Sequence, residues 1–178
     1  MSGRGGAGSR PSNIPGTWEP AARSPGPGLS STNAVDSAPQ FVDANVLIYS
    51  LDRSAERKRE RALALLAGLW NRRLGCVSLQ VLAEFFVSIT RKLPRPLTSI
   101  QAAAEVAHFA AWNVHEPRRF DLLEAIELHR QLSISLWDAM VIHSARRLRC
   151  RILWTEDLND GQVYAGVTVR NPFAEVES

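Results

Sequence analysis

Carboxylates recur where this sequence predicts that a buried strand ends or a helix begins. Asp43 and Asp157 each follow an apolar segment of strand length, and Asp138 lies in the first turn of a predicted helix. Glu84 lies about two turns into another predicted helix. Asp43 is the hardest of the four to explain structurally, because an acid between two apolar runs is costly to bury without a cation. The pattern therefore indicates a cation-binding site.

The elements that must position these acids are those of an α/β fold. Strand-length apolar runs alternate with segments of helical period, which is typical of a parallel sheet with helices on both faces. In such a sheet, the strand ends and helix starts gather at one edge. Four acids there would repel one another, and their oxygen ligands suit Mg²⁺, with Mn²⁺ as a substitute, rather than Zn²⁺.

We predict strands at residues 41–42, 74–77, 112–115, 150–154 and 167–169. Helices are expected directly after the first strand, from 54 to about 72, from 78 to the prolines at 94 and 96, and at 98–111, 121–131 and 135–148. Short polar residues stand at the predicted helix starts and are the expected N-caps: Asn45, Ser54, Ser78, Thr98 (with Gln101 as a capping box) and Ser135.

Each acid also has a structural interpretation. Asp138 can complete a capping box with the serine three residues before it, and its charge suits a helix N-terminus. Glu84 by itself fits a solvated helix face. Asp157 shares a polar loop with Glu156 and Asp160, so the assignment of the fourth acid among these three stays open.

The bulk composition is that of one globular domain. The chain has 178 residues, 45% of them hydrophobic and 22% charged, and no apolar run approaches the roughly 20 residues of a membrane span. Residues 1–39 are rich in Gly, Ser and Pro and are expected to be a disordered extension of a domain at 40–178.

Cys76 and Cys150 match no metal-binding spacing and are expected to be buried, reduced thiols of a cytoplasmic protein. The net charge of +3 permits contact with a polyanion but does not require it.

Four segments taken together resemble the PIN domain family. The segment FVDANVLIY resembles the opening motif of the family, and the predicted helix that carries Glu84 resembles the second motif. The segments LWDAMVI and ILWTEDL resemble the third and fourth motifs, and the ending at residues 160–173 is similar to toxins of the VapC type. The resemblance implies a three-layer α/β/α fold around a central parallel sheet of four to five strands.

The resemblance also implies which residues act. Asp43, Glu84, Asp138 and Asp157 would bind the metal and be catalytic, and Asn45 and Thr155 would be supporting polar residues. The activity implied is metal-dependent hydrolysis of RNA, such as transfer RNA, by the toxin of a VapBC-type toxin–antitoxin system.

The implied partners are a cognate VapB-type antitoxin and a second copy of the chain. An apolar groove for the antitoxin could come from the helices around four aromatic residues, although core packing is their ordinary role: Trp70, Phe85, Phe86 and Trp112. Among several cations near the end of the predicted helix 135–148, Arg146 and Arg149 are candidates for weak RNA contacts, and capping of the helix dipole is the alternative.

Other interpretations are weaker. A PIN-like fold that serves only as a binding module would be expected to lack one or more acids, and all four are present. A phospho-receiver would need a lysine after a late strand, and an aspartate-nucleophile phosphatase a second aspartate where Asn45 stands. His115, His129 and His143 have no catalytic setting and are expected to be surface or partly buried, and the basic run from Arg57 is expected to be a solvated face.

Overall fold

A six-stranded sheet forms the centre of the molecule in the computed structural model, which describes residues 37–174. The strands are β1 (Gln40–Val42), β2 (Gly75–Ser78), β3 (Asn113–His115), β4 (Ile152–Trp154), β5 (Val163–Tyr164) and β6 (Val167–Arg170). Their order is β3-β2-β1-β4-β6-β5, with parallel pairing throughout except between β5 and β6. The predicted parallel sheet is confirmed, and the two-residue antiparallel strand β5 is an addition to it.

Six helices cover the sheet: α1 (Ala44–Leu51), α2 (Glu56–Arg72), α3 (Leu79–Arg91), α4 (Ser99–Phe109), α5 (Arg119–Leu132) and α6 (Leu136–Arg147). Right-handed connections from β1 to β2 to β3 put α1–α4 on one face, and the return from β3 to β4 puts α5 and α6 on the other. This is the three-layer α/β/α arrangement expected from the sequence.

Local sequence signals explain most of these elements. Ser78 caps α3 by accepting a hydrogen bond from the Val81 amide, and the predicted capping box of Thr98 and Gln101 is present at α4. One side of α3 is an apolar stripe that includes Val81, Phe85 and Ile89, and all three side chains are buried. At the start of β2 a glycine is required, because a Cβ on Gly75 would lie 2.4 Å from the Trp112 indole.

Two predicted helix caps are wrong. Asp43, not Asn45, is the N-cap of α1, because its carboxylate directly follows the strand and accepts a hydrogen bond from the Ala44 amide. Ser54 does not cap α2, which begins after Ala55 without a side-chain cap. The Ser54 hydroxyl donates instead to Asp52, because the connection from α1 turns tightly there.

Both cysteines are buried and free, as predicted. The expected extension at 1–39 lies, apart from residues 37–39, outside the described residues. Among the helices at residues 37–174, none combines the length and apolar character needed to cross a membrane.

Candidate active site

The register of the two central strands brings Asp43 next to Thr155. Val42 in β1 pairs with Trp154 in β4, and the Asp43 amide donates to the Trp154 carbonyl at 3.0 Å. The next residue of each strand therefore emerges side by side at the carboxyl edge of the sheet. There the Thr155 hydroxyl donates to the Asp43 carboxylate at 2.8 Å.

Asn45 joins this pair to a second acid. Its side-chain amide donates to Asp157 Oδ2 at 2.9 Å and to Thr155 Oγ1 at 3.0 Å, with a longer contact of 3.4 Å to Asp43. Thr155 Oγ1 also accepts from the Asp157 backbone amide at 3.2 Å. The predicted supporting residues, Asn45 and Thr155, thus connect the first and fourth predicted acids into one cluster.

The loop after β4 contains three acids, and only Asp157 faces this cluster. Glu156 turns away to pair with Lys58 at 2.7 Å, and Asp160 accepts from the Asn171 backbone amide at 2.8 Å. The geometry therefore favours Asp157 over its two neighbours as the fourth acid.

The electrostatics of Asp43 are dominated by its burial. Burial raises the pKa of Asp43 from its ordinary 3.8 to about 7, and the negative charges of Asp157 and Glu84 add to the rise. Hydrogen bonds from Thr155 and the Ala44 amide oppose the shift but do not cancel it. Since the charge of Glu84 acts on Asp43, this exposed residue of α3 lies within electrostatic range of the cluster.

Asp138 is held by its own helix. Its amide donates to Ser135 Oγ at 3.0 Å, and the same hydroxyl donates to Asp138 Oδ2 at 2.6 Å. The predicted capping box is half formed, because the carboxylate contacts the serine hydroxyl rather than its backbone amide. The helix α6 leads directly into β4, so its first turn is directed toward the carboxyl edge, and a metal-binding role for Asp138 stays a prediction.

The donors at the cluster fit a small divalent cation that prefers oxygen. Within residues 37–174 no three acidic, histidine or cysteine side chains are already arranged to hold a metal ion. Mg²⁺, however, usually takes one or two carboxylates and completes its shell with water and substrate phosphate. Asp43 and Asp157 supply such a pair, and the Asn45 Oδ1 oxygen is buried without a hydrogen-bond partner.

The two predicted RNA-binding arginines lie away from the cluster. Arg146 and Arg149 are exposed at the end of α6, where the Arg151 amide donates to the Pro39 carbonyl beside the start of β1. They are therefore at the amino edge of the sheet, opposite Asp43. Contact between these arginines and RNA stays a prediction.

Two histidines that were expected to be at the surface or partly buried, His115 and His143, are buried. His143 Nε2 lies 3.0 Å from Asp121 Oδ1, His115 Nε2 lies 3.7 Å from the same oxygen, and His115 Nδ1 contacts Ser144. The expectation was wrong because Asp121 of α5 is itself buried and provides a polar partner for both rings.

Lys58 belongs to the basic run from Arg57 that was expected to be a solvated face, and at this residue the expectation is wrong. Lys58 is half-buried and pairs with Glu156, next to Asp157. A signal was present: Lys58 stands four residues before Ala62, on the same helix stripe as the buried Leu66 and Leu69.

Comparison with known proteins agrees with this architecture. The family model for the PIN domain matches residues 41–164, which is more than half of the sequence. The chain belongs to the PIN domain family. A search of curated proteins found no match.

Two solved structures share the PIN fold with this chain. One is a toxin–antitoxin complex from Klebsiella pneumoniae, with a TM-score of 0.54 and 19% identity, covering 75% of this chain and 97% of that one. The other is Mycobacterium tuberculosis VapC20, described as a toxin that cleaves the sarcin-ricin loop, with a TM-score of 0.50 and 17% identity. It covers 71% of this chain and 97% of its own. At these identities the likeness is one of fold.

Proposed function

We propose that this PIN domain is a metal-dependent endoribonuclease and the toxin component of a VapBC-type toxin–antitoxin system. The observation that carries the proposal is the buried Asp43 carboxylate, which receives its hydrogen bonds from neutral groups while Asp157 and Glu84 add negative charge. A buried acid in this setting gains most from a bound cation.

The residues that would hold Mg²⁺, with Mn²⁺ as a substitute, are Asp43, Glu84, Asp138 and Asp157. When bound, such an ion lowers the pKa of a water ligand and offsets charge on the leaving oxygen of a phosphodiester. Thr155 and Asn45 fix the orientation of the two carboxylates through hydrogen bonds of 2.8 and 2.9 Å. The protonated Asp43 carboxyl group would have to release its proton for a cation to bind, because the two compete for the same oxygens.

RNA is the proposed substrate, with transfer RNA as the first candidate. The membership in the PIN family supports a nuclease, and a fold neighbour is described as cleaving the sarcin-ricin loop. The acids of the cluster would act on the phosphodiester backbone, which carries no base sequence, so the cleavage assay below is what identifies the RNA target.

A VapB-type antitoxin and a second copy of the chain are the proposed partners, in a cytoplasmic setting. One fold neighbour is a toxin–antitoxin complex, and a groove of about 650 Å³ lies between the α1–α2 turn and the α3–α4 connection. Arg53 and the 83%-exposed Ile100 line this groove, which would suit an amphipathic peptide. Exposed apolar side chains on α5, at Phe120 and Leu123, support self-association.

The decisive experiment is cleavage of a total transfer RNA pool by the purified full chain with Mg²⁺ or Mn²⁺. We expect cleavage that EDTA stops and that Asp43→Asn or Asp157→Asn reduces at least about 100-fold, since the loss of several kcal/mol of charge stabilisation corresponds to that factor. Asp160→Asn is the matched control, because it makes the same chemical change in the same loop at an acid that faces away.

Three results would contradict parts of this proposal. Cleavage that survives Asp43→Asn would place the activity in another site or another protein. Equal losses in Asp157→Asn and Asp160→Asn would reject the assignment of the fourth acid. If no RNA is cut and calorimetry detects no Mn²⁺ binding, the alternative of a PIN-fold binding or scaffold module without nuclease activity is favoured.

A further inference from the structure

The loop that carries Asp157 is tied to the rest of the protein one residue before that acid. Glu156 Oε2 lies 2.7 Å from Lys58 Nζ, and each of the two side chains is only 20% exposed. Lys58 is in the first turn of α2, 98 residues earlier in the chain. Most ion pairs on protein surfaces are well exposed and contribute little. This one is largely shielded from water.

Two aromatic rings enclose the lysine. Lys58 Nζ lies 4.8 Å from the centre of the Tyr49 ring and 5.4 Å from that of Phe173, and the two rings meet edge to face. A cation beside aromatic rings is attracted by their negative faces, and the rings restrict its side-chain freedom. Lys58 is therefore held as a fixed anchor rather than as a mobile surface charge.

Three successive loop residues are then fixed from three directions. Thr155 donates to Asp43, Glu156 pairs with Lys58, and Asp157 accepts from Asn45. The salt bridge has a second consequence, because it holds the Glu156 carboxylate, which also has a hydrogen bond with the Tyr49 side chain, away from the acid cluster. A free Glu156 would be a competing ligand one residue away from Asp157.

We propose that Lys58 is a positioning residue, which holds Glu156 so that Asp157 alone presents its carboxylate beside Asp43. This inference rests on the proposed function, since it assigns Lys58 a role toward the cation at that cluster. Lys58 touches neither substrate nor the reacting atoms in this role and acts entirely through the loop.

The test compares Lys58→Met, Lys58→Arg and Glu156→Gln in the full chain, with Arg57→Met as matched control. Arg57 is the exposed neighbour of Lys58 on the same helix, so its substitution removes one charge without touching the loop. Binding of Mn²⁺ alone is measured by calorimetry, and amide hydrogen exchange of residues 156–160 is measured without metal. RNA cleavage is then resolved into kcat and KM.

We expect Lys58→Met and Glu156→Gln each to weaken Mn²⁺ binding roughly 10-fold and to speed exchange in the loop, as for other residues that orient metal ligands. Lys58→Arg should retain most of the affinity, and Arg57→Met should match the wild type. The kcat at a fixed Mn²⁺ concentration should fall with little change in KM for RNA. The double variant Lys58→Met with Glu156→Gln should lose no more Mn²⁺ affinity than either single variant, because both substitutions remove the same salt bridge.

The inference is overturned if Lys58→Met binds Mn²⁺ and exchanges its loop amides like the wild type, or if the two single losses add in the double variant. If Lys58→Met does not fold, Glu156→Gln decides the question by the same measurements. A wild type that binds no Mn²⁺ overturns the proposed function together with this inference. A wild type that binds Mn²⁺ and cleaves RNA, beside an unchanged Lys58→Met, overturns the inference alone.

Discussion

Asp43 and Asp121 are both buried aspartates, with exposed fractions of 8% and 7%, yet their electrostatic states are opposite. Burial raises the pKa of Asp43 to about 7. A hydrogen bond from His143, together with one from the Arg118 amide, lowers the pKa of Asp121 to about 2. Similar surface exposure thus accompanies opposite pKa shifts, because desolvation dominates at Asp43 whereas hydrogen bonds from His143 and the Arg118 amide dominate at Asp121.

Two things differ between these acids: burial removes water from the Asp43 carboxyl group more completely, and the partners of the two side chains differ. Asp121 lies beside three cationic or basic groups from two elements: His115 of β3 and His143 and Arg147 of α6. Asp43 has neutral donors and two acidic neighbours. Asp121 therefore has basic partners within the fold, whereas the hydrogen bonds to Asp43 come from neutral groups and its charged neighbours are acidic. Burial of an acid is thus informative about function only when its partners are known.

The largest change in the free energy of unfolding is expected from Asp43→Asn. Without metal, the folded chain keeps a proton on Asp43 that the unfolded chain releases above its ordinary pKa of 3.8. The stability linked to Asp43 is therefore full below about pH 4 and is lost as the pH rises to about 7, by up to about 4 kcal/mol. Asp43→Asn cannot ionise and should not show this loss.

Urea unfolding of the wild type and Asp43→Asn in EDTA, from about pH 4 to about pH 7.5, measures the difference. We expect the free energy of unfolding of the variant to exceed that of the wild type by an amount that grows with pH. Addition of Mg²⁺ should restore the free energy of unfolding that the wild type loses. A difference that stays constant with pH would show that Asp43 ionises in the folded protein as it does in the unfolded one.

The same substitution at Asp121 should change the free energy of unfolding in the opposite direction. Asp121→Asn removes a buried charge from basic partners and should lower the free energy of unfolding by about 3 kcal/mol at neutral pH. In the wild type the contribution of Asp121 is present above about pH 4 and is lost as the pH falls toward its folded pKa of about 2. Urea unfolding at pH 7 measures the cost, and RNA cleavage per folded molecule should not change. A stabilised Asp121→Asn would refute the contrast between the two acids.

The smallest change is expected from Arg147→Met, which tests which partner of Asp121 compensates its charge. Arg147 Nε lies 3.4 Å from Asp121 Oδ1, but the arginine side chain is 58% exposed, whereas that of His143 is 3% exposed. We expect Arg147→Met to cost less than about 1 kcal/mol in urea unfolding, as for other solvated pairs. A cost equal to that of Asp121→Asn would mean that the guanidinium, not the buried imidazole, compensates the acid.

Much of the fold could be predicted because its signals are local. The N-caps at Ser78 and Thr98 and the apolar stripe of α3 depend on residues within one or two turns of each other. The strand β5 was not predicted, because two residues are too few to show an alternation of apolar and polar side chains. The turn at Ala165 and Gly166, both with positive φ, forms it. The α1 cap was misassigned because Asp43 and Asn45 are equally good caps as residue types.

The candidate site was predictable in part. The sequence alone indicates that an acid follows β1 and that several acids follow β4, because apolar runs and polar breaks in a chain mark where strands end. Tertiary structure decided that Asp157 rather than Glu156 or Asp160 faces Asp43, since Asn45 and Thr155 meet across 110 residues of chain.

Only the tertiary structure places Lys58 against Glu156, and only it gives Asp121 basic partners and Asp43 neutral and acidic ones. The physical reason is the same in each case. The energy of a buried charge depends on which charges and dipoles surround it within a few ångströms, and residues distant in sequence supply most of them.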